Sequence, residues 1–351
     1  MLTSSAPCVR SEPAMTPPQW LADVLGVGLP PEGGSIAIAG AKFVMRDGIL
    51  RAAAAVSDAQ AQTRDSFAFI WSGADRFQSE ESLSILAEWY RSMYGDVAEA
   101  PWWSEYGDMP LLVDAGCGVG LSAAGLFGER LSRVRYLGLD VSTAVEQASK
   151  RLHDRGLHPA FIQTDLMKAP LADSSVDVIF SQGVLHHTDS TELAIKALAR
   201  KLRPGGRFLF YVYRRKGPIR EFTDDYVRAK LQAMTPEQAW DAMMPLTKLG
   251  KLLGDLKVEI DIPERIDLLE IPAGKIDLQR LIYWHVFKAF HHDRWTLDEL
   301  NHINLDWYAP ANAHRQTPEE VRGWCAAAGL AIEREHLQDS GITIVARRAD
   351  T

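Results

Sequence analysis

Cysteine is scarce: Cys8, Cys117 and Cys325 serve 351 residues, and no two form a C-x-x-C pair. That excludes a disulfide framework and a zinc ribbon, and suits a reducing compartment. Long apolar runs are missing as well. The opening MLTSSAPCVRSEPAMTPPQW has no basic stretch followed by an apolar core, and no later window reaches the uninterrupted apolar length of a membrane span. Nor is there an excess of positive charge, since 38 Lys and Arg face 46 Asp and Glu for a formal net charge of -8. That balance argues against a nucleic-acid partner, which a basic surface would recruit. The expectation is a cytoplasmic protein without a membrane span.

What is present is material for a core, with 46% hydrophobic residues, and a changing rhythm along the chain. Residues 1–34, rich in Pro, Ser and Gly around WLADVLGVGL, read as a flexible leader. Residues 35–107 read as a mainly helical N-terminal lobe. There SIAIAGAKFVMRDGILR supplies two short strands, RAAAAVSDAQAQ forms helix readily, and EESLSILAEWYRSMYGD spaces its apolar residues as an amphipathic helix does.

From residue 108 strand, turn and helix alternate. The candidate strands are LLVDA (111–115), RVRYLGLD (133–140), AFIQTD (160–165), VDVIFSQ (176–182) and RFLFYVY (207–213). This alternation predicts an α/β fold, doubly wound, with a mostly parallel sheet covered by helices on both faces. It stops at residue 214 for about a hundred residues, far longer than an ordinary connection. It resumes at Thr317, where Thr317 and Glu320 make a capping box, and the chain ends in a final strand pair. Residues 214–316 are therefore expected to form a helical cap inserted at the sheet's carboxyl edge, where α/β proteins hold ligands.

The stretch LLVDAGCGVGLS ends an apolar strand in Asp114 and then places Gly116, Gly118 and Gly120 at alternate positions. The spacing is G-x-G-x-G, not the G-x-G-x-x-G of a dinucleotide loop, and an acid beside it is poorly placed for a pyrophosphate. Asp140 ends the second strand, where an acid accepts from both ribose hydroxyls, and Asp165 ends the third, within reach of an adenine amino group. Three acids at three successive strand ends describe a site for an adenosine that carries positive charge and no phosphates.

With these motifs the sequence resembles the class I S-adenosylmethionine-dependent methyltransferases. VDAGCGVG is similar to their first motif, YLGLDVS to the ribose loop, TDLMKAPL to the adenine loop, and FSQGVLHHTDS with LRPGGRFLFY to the fourth and fifth strand signatures. In style it resembles the small-molecule branch related to quinone C-methyltransferases. The resemblance implies a Rossmann-like seven-stranded sheet with an antiparallel last strand, and S-adenosyl-L-methionine as cofactor. It implies that Asp114, Gly116 and Gly118 approach the methionyl part and that Gly120 permits close backbone passage. Asp140 then holds the ribose, Val141 packs on adenine, Asp165 and the Leu166 backbone read its edge, and Gln182 lines the methionyl end.

Methyl transfer needs a base only when the acceptor must lose a proton. His186 and His187 follow the fourth strand directly, and Tyr213 stands at the mouth of the fifth, so these three are the catalytic candidates. A histidine pair there also serves simply to shape its loop. In the cap, IYWHVFKAFHHDRW reads as one helix, and NHINLDWYAPANAHRQT follows it. Their aromatic and histidine content makes His285, Trp307, Tyr308 and His314 the substrate-binding candidates. Arg214, Arg215 and Lys216 either close the strand's exit or recognise a carboxylate or phosphate. Adjacent His291 and His292 point apart on a helix and no H-x-x-x-H follows, so no metal is expected. A small-molecule substrate methylated on carbon or oxygen is the expectation, with an RNA or protein methyltransferase, or a non-catalytic regulatory protein that binds S-adenosylmethionine, as the alternatives. Trp71, Phe77 or Tyr90 of the N-terminal lobe closes over the cofactor.

Overall fold

A computed structural model describes residues 16–53, 57–72 and 80–350. Helix α1 (Trp20–Leu25) buries Leu21 and Leu25 against one face of the sheet, so the second half of the expected leader is docked. The first half, residues 1–15, lies outside the described residues.

Three short strands follow, β1 (Ser35–Ile38), β2 (Ala41–Arg46) and β3 (Ile49–Ala52), where two were expected. The turn between β2 and β3 is Asp47-Gly48, with φ of 54° and 72°, the conformation that a two-residue hairpin turn requires. Strand β3 then pairs in parallel with β6 (Ala160–Gln163) through Leu50–Ile162 and Arg51–Gln163. This part of the chain is thus an extension of the main sheet and not part of a helical lobe. Helices α2 (Asp58–Ser72) and α3 (Glu80–Tyr94) come next.

The central strands are β4 (Leu111–Ala115), β5 (Arg135–Asp140), β6, β7 (Val176–Gln182) and β8 (Leu202–Tyr213), with α4 (Leu121–Phe127), α5 (Ala144–Asp154) and α6 (Thr191–Lys201) between them. All five residues of β4 are buried, as expected for a parallel strand covered on both faces. After the cap, α11 (Pro318–Ala327) starts at the Thr317 and Glu320 capping box, and β11 (Leu330–Leu337) and β12 (Gly341–Arg348) close the sheet. The strand order is β1-β2-β3-β6-β5-β4-β7-β8-β12-β11. It is parallel from β3 to β8, with β12 antiparallel between β8 and β11. The sheet therefore has ten strands, the seven expected and the three added before α2.

Between Arg214 and Gln316 the chain leaves and rejoins the sheet at one point, where the Arg215 N–H donates to the Gln316 carbonyl at 2.9 Å. The excursion contains α7 (Pro218–Leu231), α8 (Pro236–Asp255), the hairpin β9 (Glu259–Ile262) and β10 (Gly274–Asp277), α9 (Leu278–His285) and α10 (Leu297–Tyr308). The helix read through His292 in fact stops at His285. Beyond it the backbone is claimed by α10: the Lys288 N–H donates to the Tyr308 hydroxyl and the Phe290 N–H to Asn304 Oδ1, both at 2.8 Å. Tertiary partners thus replace the helical ones. This segment lies so close to α8 that a Cβ on Gly254 would fall inside the His291 ring.

Candidate active site

The carboxyl ends of β4 to β8 and the underside of the cap enclose one cavity of about 860 Å³. At its sheet end the chain turns sharply after β4. Gly116 has φ of 87°, and a Cβ there would drive into the Val184 side chain, so only glycine is accommodated. The Gly118 N–H donates to Asp140 Oδ2 at 2.8 Å, while Oδ1 accepts from the Ser142 N–H at 2.8 Å and the Ser142 hydroxyl at 2.7 Å. Burial raises the Asp140 pKa and these hydrogen bonds oppose that rise. The carboxylate is thereby fixed at the mouth of β5, with lone pairs left to face the cavity.

Val141, Asp165, Leu166 and Gln182 line the same end. Asp165 accepts the Met167 N–H at 2.9 Å, and Gln182 Oε1 accepts the Tyr94 hydroxyl at 2.6 Å. Trp71 from α2 and Tyr90 from α3 complete the wall, and Phe77 lies outside the described residues. Two expected contacts are not on the cavity. Asp114 is 2% exposed and turns to β5, where it accepts the Tyr136 hydroxyl at 2.6 Å. Its burial raises the pKa to about 7. Gly120 instead opens α4 in the left-handed conformation and packs near Ala148.

His187 and Tyr213 line the middle of the cavity, whereas His186 does not. The His186 ring is fully buried against the Tyr213 ring, 3.6 Å between centroids, and its Nδ1 accepts the Tyr213 N–H at 3.3 Å. It is a packing group beneath the site. His187 Nδ1 lies 2.6 Å from the Asn312 carbonyl, so Nδ1 carries the proton. Burial brings its pKa down to about 3, which keeps the ring neutral. The Tyr213 hydroxyl donates to Asp306 Oδ2 at 3.3 Å. Burial raises the Asp306 pKa.

At the cap end Trp307 lines the cavity, but the other three substrate candidates do not. Tyr308 points its hydroxyl to Asp224 Oδ1 at 2.7 Å. The His314 Nε2 sits 3.1 Å from the Thr188 carbonyl. His285, at the end of α9, is also off the cavity. The residues that do face the space are Tyr283, Trp284, Asp306, Lys216, Arg220, Arg280 and Lys288. Three of these cations gave no signal, because Arg220, Arg280 and Lys288 are scattered singly through segments whose relative placement a linear pattern does not show. Arg215, read together with Lys216, instead faces Glu320 at 3.5 Å on the surface.

Comparison with known proteins agrees with this geometry. The family described as "Methyltransferase domain" matches residues 113–210, which span β4 to β8 and the loops just described. Residues 113–210 are a class I S-adenosylmethionine-dependent methyltransferase domain. Its cofactor is S-adenosylmethionine, and the sheet end of the cavity fits that group through the pinned Asp140 and the close backbone approach at Gly116. An uncharacterized protein of Synechococcus sp. is 26% identical over 64% of this chain and 48% of its own. The 27-O-demethylrifamycin SV methyltransferase of Amycolatopsis mediterranei is 34% identical over 27% of this chain and 36% of its own. A probable tRNA methyltransferase 9B of Mus musculus is 32% identical over 32% of this chain and 24% of its own. The chain thus spans about half or less of the length of these curated relatives. No described helix is long and apolar enough to cross a membrane.

Proposed function

We propose that this chain transfers a methyl group to a small-molecule acceptor held under the cap, with oxygen or carbon as the accepting atom. The observation that carries this reading is the continuity of the cavity, from Asp140 and Gly118 through His187 and Tyr213 to Trp307 and Tyr283. One wall is suited to a cofactor and the other to an aromatic or amphipathic guest. The similarity to 27-O-demethylrifamycin SV methyltransferase supports a small acceptor, and the quinone C-methyltransferase resemblance keeps carbon beside oxygen as the target.

Bound S-adenosylmethionine supplies the methyl group on a sulfonium, leaving S-adenosylhomocysteine and a methylated acceptor. The chain's own contribution is positioning, exclusion of water and removal of the acceptor's proton. Asp306 is the base this reading assigns. Burial raises its pKa while the Lys288 ammonium and the Tyr213 hydroxyl oppose that rise, and the hydroxyl orients it. His187 stays neutral and serves as wall, its Nδ1 proton committed to Asn312.

The test is calorimetric titration with S-adenosylmethionine, S-adenosylhomocysteine and NAD, followed by transfer of a labelled methyl group into a metabolite extract and into bulk RNA. Binding of the two adenosyl ligands without NAD, and label in a small molecule, is the expected result. Label in RNA alone, or cofactor binding with no transfer, overturns it.

A further inference from the structure

Around Trp307 the cap gathers three cations, with the Lys288 ammonium 4.9 Å from the ring centroid, the Arg220 guanidinium 5.4 Å and the Lys216 ammonium 5.5 Å. A fourth, Arg280, lies over Tyr283 at 5.6 Å. All four line the cavity. Arg220 is neutralised by Asp224, with Nε 2.8 Å from Oδ1. Among the described residues the other three have no carboxylate within ion-pair distance. Lys216 Nζ donates to the carbonyls of Arg214 and Ser340 at 2.8 and 3.1 Å and to that of Asp339. Arg280 spends one N–H on the His291 carbonyl at 3.1 Å.

Lys288 stands apart in this cluster. The residue is only 6% exposed, yet among the described residues its Nζ has no hydrogen-bond partner. A buried ammonium in that state is costly unless an anion meets it. Burial, with Arg220 adding to it, lowers the pKa of Lys216 and of Lys288 to about 7, although the Asp306 carboxylate pulls that of Lys288 back up. Asp306 and Asp339 are the acids lining this end. Asp306 is engaged by Tyr213, and the nearby Lys288 ammonium opposes the rise in its pKa that burial causes; even with both acids ionised, Lys216, Arg280 and Lys288 outnumber them. The cap end is therefore positively charged on balance, and its walls, Trp307, Tyr283 and Trp284, are flat.

We propose, on the basis of the methyl-transfer reading, that the acceptor is a planar organic anion. Its carboxylate or phosphate is received by the Lys288 ammonium between Arg280 and Lys216, and its ring lies against Trp307. This placement gives the acceptor a fixed end in the cap, beside Asp306, and directs its other end toward the cofactor wall. A neutral molecule of the same shape leaves Lys288 unmet, and discrimination against it follows from that unmatched charge.

The experiment is titration of the full chain, saturated with S-adenosylhomocysteine, with benzoate and phenyl phosphate as probes and benzamide as the neutral isostere. At least one anion is expected to bind, and benzamide roughly tenfold or more weaker; which anion binds distinguishes the carboxylate from the phosphate. Lys288→Met is expected to lower anion affinity by roughly tenfold or more while S-adenosylhomocysteine affinity stays within about twofold. Arg280→Gln, on a half-buried residue, serves as a second variant and is expected to weaken the same anion. Benzamide binding as tightly as the better anion, binding of neither anion at millimolar concentration, or unchanged anion affinity in both variants overturns the proposal. If the wild-type chain fails to take up S-adenosylhomocysteine at all, it is the methyl-transfer reading that has failed.

Discussion

The Trp307 indole N–H donates to Asp224 Oδ2 at 2.8 Å, joining two helices of the cap, α10 and α7, across 83 residues of sequence. The other carboxylate oxygen of Asp224 accepts from Arg220 Nε at 2.8 Å and from the Tyr308 hydroxyl at 2.7 Å. Arg220 in turn donates to the Tyr283 carbonyl. One fully buried acid thus orients an indole, a phenol and a guanidinium, and two of these face the cavity. Asp224→Ala leaves Arg220 charged and uncompensated in the interior. The expected cost is about 3–5 kcal/mol, read as a lower urea midpoint, with S-adenosylhomocysteine affinity retained because the network does not reach the glycine loop. A shift below about 1 kcal/mol would show that the network is not what holds α7 to α10.

At the opposite end a similar demand falls on backbone. Gly116 combines φ of 87° with a Val184 side chain occupying the place of a Cβ. Gly116→Ala is expected to abolish S-adenosylhomocysteine binding or folding, as circular dichroism distinguishes. Gly116→Ala with Val184→Ala is expected to recover part of the loss, since it removes the clash but not the strain of about 1–2 kcal/mol. Equal behaviour of the single and double variants would mean that the clash is not the cause.

Much of this end was legible in the sequence because its signals are local. LLVDA is apolar but for Asp114 because both faces of its strand are covered, and Thr317 with Glu320 marks its helix start by spacing alone. The Asp47-Gly48 turn is equally local, and with the Ala39-Gly40 turn eight residues earlier it divides this stretch into three strands where two were expected. The cap was less legible for a different reason. The end of α9 is decided by Tyr308 and Asn304, which claim the N–H groups of Lys288 and Phe290 from 20 and 14 residues away. The same distance hides the substrate wall: His285 and His314 stand out by composition, while Arg220, Arg280 and Lys288 converge only in the folded chain.

Asp140 holds its loop as well as facing the cavity, because Gly118 and Ser142 donate to it. Asp140→Asn keeps the size but loses the charge-assisted bonds, each worth about 1.5–3 kcal/mol. Calorimetry should show S-adenosylmethionine affinity lower by roughly ten- to a hundredfold. Unchanged affinity would remove Asp140 from the ribose role.

Asp114 makes a prediction about stability. Burial raises its pKa to about 7, against about 4 in an unfolded chain, and Tyr136 donates to it in either state. Between these values the folded protein holds a proton that the unfolded chain has released. Stability contributed by this group is therefore complete below about pH 4 and declines as pH rises to about 7, by a few kcal/mol in all. Asp114→Asn, neutral throughout, removes that decline. The check is the difference in unfolding free energy between the Asp114→Asn variant and the wild-type protein at several pH values. It should shift in favour of the variant as pH rises from about 5 to about 7.5. A constant difference would mean that Asp114 is ionised in the fold, held by Tyr136 strongly enough to offset its burial.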